Sequence, residues 1–423
     1  MIVRRALKNA KRAVKCYTLP SFESGENTIN FNCGKELRRG RAAELFAALP
    51  ELAAELYFSG ELYVRCCDGT IYRLAESGTF EALSGDVLFA APPAWCAVYD
   101  GNAHIPLFSD GTKTYACVSG GLYPSDAPPF DCAVYANERL WTAQGDRLRF
   151  SAPLSFEDFT SGKNAGGEID VPDAFGNIVA LVSLENRIFI FREYGIQKLD
   201  TGGEQTDFCI EDSVDLGERI LKDTIVCGEN CIYFCSESSV YKYQGGSVRR
   251  LYENFFKGKP PNAIRAAYAR GCHLILSARG EDRVVYMFGN DGIETLCGAY
   301  GDVCRARIGG EEVLAAIFEG QVCLLKEGVP CRARWQSEWC DLGAGAGEKI
   351  LERAVLYGRG CFLLRIESGR ASREMPVRFT GGRADIPIGL RGSAFRFILE
   401  TDAVTAKVGA FSCLFTRAEG GKL

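Results

Sequence analysis

Histidine is almost absent. Only His104 and His273 occur in 423 residues, so a three-histidine zinc centre, or any site needing several imidazoles, cannot be built. Long apolar runs are missing too. The longest uncharged one, Val87 to Tyr99, has 13 residues with Pro92 and Pro93 inside it, short of the roughly 20 that a membrane-spanning helix needs. No continuous apolar core follows the cations of Met1 to Lys15, which speaks against a secretory signal and for synthesis in the cytoplasm. Paired cysteine spacing is lacking as well. The 19 cysteines form no regular framework, and an odd number scattered through apparent strands fits small core residues with free thiols in a reducing compartment.

What is present is ordinary globular material. Apolar residues make up 47% and charged residues 24%, which excludes a fibrous or disordered chain. The length suits two or three domains, or one repeat array with an appendage. Charge is unevenly spread. Residues 1–50 carry net +6 and residues 341–423 net +4, so the total of −5 leaves −15 for residues 51–340. Such segregation bears on partners and self-association, not on fold.

One stretch, Glu36 to Tyr57, reads as helix. Leu45, Leu49, Leu52 and Leu56 recur there at three- and four-residue steps, with Pro50 as a break or kink. Everything after it is short β-branched and aromatic runs set off by Gly, Asn and Asp, which predicts an all-β chain. Asp68-Gly69, Asp110-Gly111 and Asp291-Gly292 each lie between apolar runs and can supply the positive φ of a tight hairpin. Glu185-Asn186, Gly228-Glu229-Asn230 and Gly320 mark further turns.

Aligned on these turns, the chain repeats. The first core residues after successive turns are Leu140, Ile188, Ile232, Leu274 and Val322, at steps of 42 to 48 residues, with Leu62 and Ile105 fitting less regularly upstream. A period in the 40s with three or four strands per unit is that of a β-propeller blade. About seven blades are expected, within six to eight; the alternative is a large β-sandwich. The pattern changes at Asp341. Leu342 to Gly347 (LGAGAG) has linker composition, and the six alternating strands that follow predict a small β-sandwich. The expected organisation is therefore a basic arm and short helix over 1–50, a propeller over 51–340 and a sandwich over 341–423.

Chemistry-bearing patterns are sparse. Cys227, Cys231 and Cys235 recur every fourth residue, but no C-x-x-C pair or nearby histidine completes a tetrahedral set. Adjacent Cys66 and Cys67 read as core packing. His104 and His273 have no G-x-S-x-G elbow or evident nucleophile beside them. Ser109-Asp110-Gly111-Thr112 breaks the spacing of the sialidase repeat, Glu311-Glu312 reads as solvated turn charge, and the LGAGAG glycines precede no Lys-Ser/Thr. No catalytic residue, cofactor site or metal ligand is expected.

Three stretches carry a resemblance. LPSFESGENTINF has Pro20, Phe22, Gly25 and Asn27 in a P-x-F-x-x-G-x-N form. Residues 139–199 run from a Leu-Trp strand at Trp141 through a Ser-x-Pro-x-x-x-Glu-Asp-Phe-like loop (SAPLSFEDF) and a glycine-rich turn to IVAL and IFIF strands. VTAKVGAFSCLFTRAEG closes the chain. These are similar to the β-propeller virion structural proteins of tailed bacteriophages, of the connector and nozzle type. They cover about 90 residues closely and the rest loosely; the richness in cysteine departs from that family's pattern.

The resemblance implies a non-enzymatic component of a multi-copy head–tail or tail ring, assembled in the bacterial host cytoplasm and carried in the virion. Its partners would be copies of itself and other virion proteins, with transient contact to phage DNA in a channel. Arg4, Arg5, Lys8, Lys11, Arg12 and Lys15 then form an assembly arm suited to an acidic neighbour. Two other readings compete. A tail-tip carbohydrate- or receptor-binding propeller would expose platforms such as Trp95 or Trp335, and a propeller glycoside hydrolase would build an acidic site from loops.

Overall fold

A computed structural model describes residues 14–23, 28–171, 175–202, 205–290, 292–345 and 347–418. It divides into two compact units, one made of 1–42, 291–296 and 327–423, the other of 43–290 and 297–326. Helix is confined, among the described residues, to Glu253–Phe256 and two 3-10 turns.

The second unit is a seven-bladed β-propeller. Blade one is Ala53–Ser59, Glu61–Cys66, Ile71–Leu74 and Phe80–Ala82; blade two is Ala94–Tyr99, His104–Ser109, Thr114–Val118 and Gly121–Ser125. Blade three is Cys132–Ala136, Arg139–Gln144, Arg147–Phe150 and Gly167–Ile169; blade four is Ile178–Leu184, Arg187–Arg192, Gly195–Asp200 and Cys209–Asp215. Blade five is Val226–Gly228, Cys231–Cys235, Val240–Gln244 and Ser247–Leu251. Blade six contributes Ala263–Ala269, Cys272–Arg279 and Asp282–Gly289 before the chain passes into Gly292–Gly298, where 291–296 belong to the other unit. Blade seven joins Tyr300–Ile308, Glu311–Phe318 and Gln321–Lys326 to an outermost strand from far upstream, Ala42–Ala47.

That last blade closes the ring, since it is built from both ends of the unit and its first strand packs beside the first strand of blade one. Closure of this kind covers the blade faces that an open array would leave exposed, while each blade keeps only a short outer edge.

The repeat is legible because the second strand of each blade has a neighbouring blade on both faces. Glu61–Cys66, Arg187–Arg192 and Arg139–Gln144 each have five consecutive buried residues, so they read as continuous apolar runs and not as alternation. Six of the seven expected marker residues fall in second strands. Val322 does not: it lies in the third strand of blade seven, and the equivalent buried residue is Leu314, 40 residues after Leu274.

The turns follow their chemistry. Gly69 (φ 91°) and Gly111 (φ 86°) take the left-handed conformation. Asp68 accepts the Thr70 N–H at 2.9 Å, and Asp110 accepts the N–H groups of Thr112 and Lys113 at 2.7 Å each. Glu185 and Asn186 are both positive in φ, as a two-residue hairpin of the primed type needs. Asp291 lies outside the described residues.

The helix expected over Glu36 to Tyr57 is absent. The segment forms the strands Leu37–Arg39, Ala42–Ala47 and Ala53–Ser59. Its alanine, leucine and glutamate favour helix intrinsically, but that preference is worth only tenths of a kcal/mol per residue. Pairing as the closing strand of blade seven and the innermost strand of blade one overrides it.

The first unit is the β-sandwich. One sheet holds Arg383–Gly392, Lys349–Arg359, Lys407–Arg417, Leu37–Arg39 and Phe31–Cys33, with residues 293–295 at the end and Lys15–Thr18 also pairing to Lys407–Arg417. The other holds Ala333–Gln336, Phe395–Thr401, Cys361–Ser368 and Ala371–Arg378. All six strands expected after Asp341 are present. Arg383–Gly392 shows why, its buried and exposed residues alternating strictly over nine positions.

The boundary lies earlier than the composition change at Asp341. Trp335 is buried in the sandwich core, edge-to-face with Phe22 at 5.1 Å, and its Nε1 donates to Glu23 O at 3.0 Å. LGAGAG is not a linker either. Leu342 is 2% exposed in the same core, and Lys349 Nζ donates to the carbonyls of Gly345 (2.6 Å), Gly347 (2.9 Å) and Ser393 (2.7 Å). The glycines bring their carbonyls around a buried ammonium.

Candidate functional site

Of the six expected arm cations, Arg4, Arg5, Lys8, Lys11 and Arg12 lie outside the described residues. Lys15 is exposed at the start of Lys15–Thr18, opposite Phe415. This strand fixes the arm's root on the sandwich: its four residues pair antiparallel with Ser412–Phe415, and the Thr18 and Ser412 hydroxyls are 2.8 Å apart. Phe22, from the P-x-F motif, is a core residue.

The innermost strands carry a buried ion pair. Arg265 Nε is 3.2 Å from Asp302 Oδ1, and Arg265 Nη2 donates to Leu56 O at 3.0 Å. Asp302 accepts the N–H of Leu56 at 2.8 Å and of Val303 at 2.7 Å. Both charges are thus hydrogen-bonded, which is what burial of an ion pair requires. The pair spans blades six, seven and one.

Other titratable candidates are also engaged. His273 is 2% exposed, stacked on Tyr233 at 4.5 Å and close to Tyr252 Oη (3.3 Å from Nδ1); burial drives its pKa down to about 3. His104 is exposed on blade two beside Tyr99, so the two imidazoles belong to different blades. Glu312 accepts the Arg270 N–H at 2.8 Å and pairs with Arg305 at 3.5 Å. Cys231 and Cys235 are core residues, while Cys227 donates to Ser183 O at 3.7 Å, with burial raising its pKa to about 11. Among the described residues no three His, Cys, Asp or Glu side chains gather as a metal site would need. No helix among them is long and apolar enough to cross a membrane.

Of the aromatic platforms suggested for receptor binding, Trp335 is packed inside and Trp95 is half-buried. Trp335 is 1% exposed, and Trp95 lies partly buried against Tyr57 at 5.7 Å. Trp141 is fully buried, with Nε1 donating to Ala136 O at 3.1 Å.

One cavity stands out. It occupies about 700 Å³ between the outer parts of blades three and four and is walled by Phe150, Phe208 and Ile169. Gln205, Thr206, Asn164, Lys163 and Glu168 complete it. The loop 151–166 that helps form it contains the SAPLSFEDF stretch. There Ser151 Oγ binds Leu140 N–H and the Ala152 and Ser155 carbonyls, and Arg139 Nη1 donates to Ser151 O (2.6 Å) and Ala165 O (2.8 Å). The Arg139 guanidinium also lies 5.3 Å from the Phe150 ring and 5.8 Å from that of Phe208. Nothing local in the chain marks this cavity, because Phe150 and Gln205 are 55 residues apart.

No family model and no curated protein matches the chain. Among solved structures it is similar to the extracellular domain of a hybrid two component system protein from B. thetaiotaomicron, at 8% identity and TM-score 0.44, covering 81% of this chain and 47% of that one. The chain thus spans about half the length of that domain. It is also similar to BBS1N crystallised with ARL6DN (12% identity, TM-score 0.47, 69% of this chain and 96% of that). A third likeness is to the WD40 domain of Neurospora crassa Pan2 (10% identity, TM-score 0.46, 67% of this chain and 94% of that).

Proposed function

We propose that the chain is a non-enzymatic structural protein of a tailed-bacteriophage particle, forming part of a multi-copy head–tail or tail ring. The observation that carries this reading is the joining of opposite charges in one chain. Six cations precede or begin a strand rooted on the sandwich edge, while residues 51–340, most of them propeller, are net −15. Such a chain is complementary to its own copies, with the arm of one drawn to the acidic body of another. Arg265 and Asp302 tie the innermost strands of three blades together, which suits a scaffold. A net-negative body would also let DNA pass a channel without adhering. On this reading the arm serves protein assembly and not nucleic-acid recognition, since only Tyr17 and Phe22 are near it and Phe22 is buried; strand-binding surfaces combine charge with several stacking aromatics.

The test is where the gene and protein occur. Portal, capsid and tail genes should flank this one, and mass spectrometry of purified particles should find the chain at a fixed multiple per particle. A gene set among host metabolic genes, with the protein missing from particles, would overturn the reading.

A further inference from the structure

The outer face and rim of one sandwich sheet hold more positive charge than their own carboxylates can match. Asp385 is shared by Arg353 (3.3 Å) and Arg383 (3.4 Å), and Glu36 by Arg38 (2.7 Å) and Lys407 (2.8 Å). Glu348 is likewise shared by Arg370 (3.1 Å) and Arg391. Each carboxylate meets two cations. The strand register makes the surface continuous: Arg353 lies opposite Pro387, Tyr357 opposite Arg383, and Arg359 opposite Lys407, which in turn faces Arg38. All of these arginines are exposed.

The propeller has a surface of the opposite sign. Residues 200–218 hold seven Asp or Glu and no Lys or Arg. They include Cys209–Asp215, the outermost strand of blade four, which pairs with Gly195–Asp200 and ends that sheet. Glu211 and Asp215 are exposed on it, four residues apart and therefore on one face. Lys198 pairs with Glu211 and Arg250 with Glu218, which offsets two of the seven.

We propose that these two surfaces bind each other between copies of the chain, the acidic edge of blade four on one copy lying against the arginine-rich sheet of the next. The inference rests on the multi-copy reading above and adds a contact separate from the arm. Two unlike surfaces make a heterologous contact, and such contacts close into rings when the rotation between copies allows it. Asp385, Glu36 and Glu348 stand between the cations, which suits a partner whose carboxylates are spaced along a strand, each taking the second cation of a pair. The same three carboxylates would repel the continuous phosphates of a nucleic acid. Tyr357, the exposed aromatic of this face, is engaged by the Arg383 guanidinium at 5.8 Å, so stacked bases find no open platform there. Each exposed pair contributes little, so the contact depends on several acting together.

Sedimentation velocity of the full chain at low salt tests this by charge exchange. Arg353→Glu with Arg383→Glu, and separately Glu211→Lys with Asp215→Lys, should each weaken self-association at least tenfold with an unchanged melting temperature. The chain carrying all four changes should associate within threefold of the parent. If a variant fails to fold, carbodiimide coupling of mixed isotope-labelled and unlabelled parent chains serves instead. Its zero-length cross-links should join Lys407 of one label to carboxylates of 207–215 of the other. Reversals that leave association within twofold, four changes that do not restore it, or cross-links confined to one label would overturn the proposal. So would a parent chain that does not associate, or arginine changes that abolish duplex-DNA binding and leave self-association intact. Particle composition and gene neighbours test the ring reading without this surface, and charge exchange in the purified chain tests the surface without the particle.

Discussion

Asp302 holds Arg265 at 3.2 Å while accepting the backbone N–H of Leu56, so one carboxylate links the innermost strands of blades six, seven and one where the ring closes. Removing the carboxylate leaves the largely buried Arg265 guanidinium without its counter-charge. Asp302→Asn should therefore lower the stability of the propeller by about 3–5 kcal/mol. Replacing both with apolar residues, Arg265→Met with Asp302→Leu, should cost less than the single change. Urea unfolding followed by amide exchange in Ala53–Ser59 and Tyr300–Ile308 reads both; equal stability of Asp302→Asn and the parent would contradict this account of closure.

His273 should make the propeller acid-sensitive. Its ring is buried among Tyr233, Tyr252 and Phe288, and burial brings its pKa from 6.5 down to about 3. Below the unfolded value the unfolded chain binds a proton that the folded one refuses. The neutral ring's stability is thus complete above about pH 6.5 and is lost as pH falls toward 3, at about 1.4 kcal/mol per pH unit inside that window. His273→Phe should flatten the fall in melting temperature between pH 6.5 and 4.5. An unchanged slope would assign the acid sensitivity to other groups.

Lys349 tests the sandwich. Three carbonyls surround its ammonium, and burial lowers its pKa below the ordinary lysine value. Lys349→Met removes the three charge-assisted hydrogen bonds to Gly345, Gly347 and Ser393, whose residues are exposed and can turn to water, so the cost should be about 1–3 kcal/mol in total. Amide exchange should quicken in Lys349–Arg359 and Phe395–Thr401 while blade three keeps its protection. Parent-like exchange in both strands would refute the cradle.

How far the sequence could be read depends on whether a residue's partner is local. Leu140, Ile188 and Ile232 revealed the blades because second strands are buried on both faces whatever lies beyond them. Asp68 and Asp110 revealed hairpins because their hydrogen bonds run to residues two or three positions on. The segment around Ala42–Ala47 misled, since its strand partner is some 280 residues away and helical composition is all that shows locally. LGAGAG misled in another way: Lys349 stands only two and four residues from the glycine carbonyls it binds, but Ser393, its third acceptor, is 44 residues away, and the burial of the ammonium does not show locally. Gln205 and Phe150 form a cavity only once two blades are side by side. None of the three could be seen in a window of the chain.

The cysteines divide by access. Cys16, Cys67, Cys209, Cys227 and Cys361 are exposed and nine others are buried, with burial raising the pKa of Cys66, Cys96, Cys132 and Cys235 to about 12. Iodoacetamide on the native protein should label Cys16, Cys67, Cys209 and Cys361 first, with Cys227 slow despite its exposure because its thiol is shielded. After unfolding without reductant, all 19 should alkylate. Intact disulfides, or a stoichiometric metal released on unfolding, would contradict the free-thiol reading.

The most direct measurement of the assembly claim compares the full chain with one lacking residues 1–14, which spares the strand Lys15–Thr18, by mass photometry across a salt series. Each exposed ion pair contributes at most ~1 kcal/mol and is screened by salt. Association of the full chain should accordingly be strongest at low salt and decline as salt rises, while the shortened chain remains folded and associates weakly throughout. Equal association of the two chains at low salt, or an arm that binds duplex DNA tightly with no protein partner present, would contradict it.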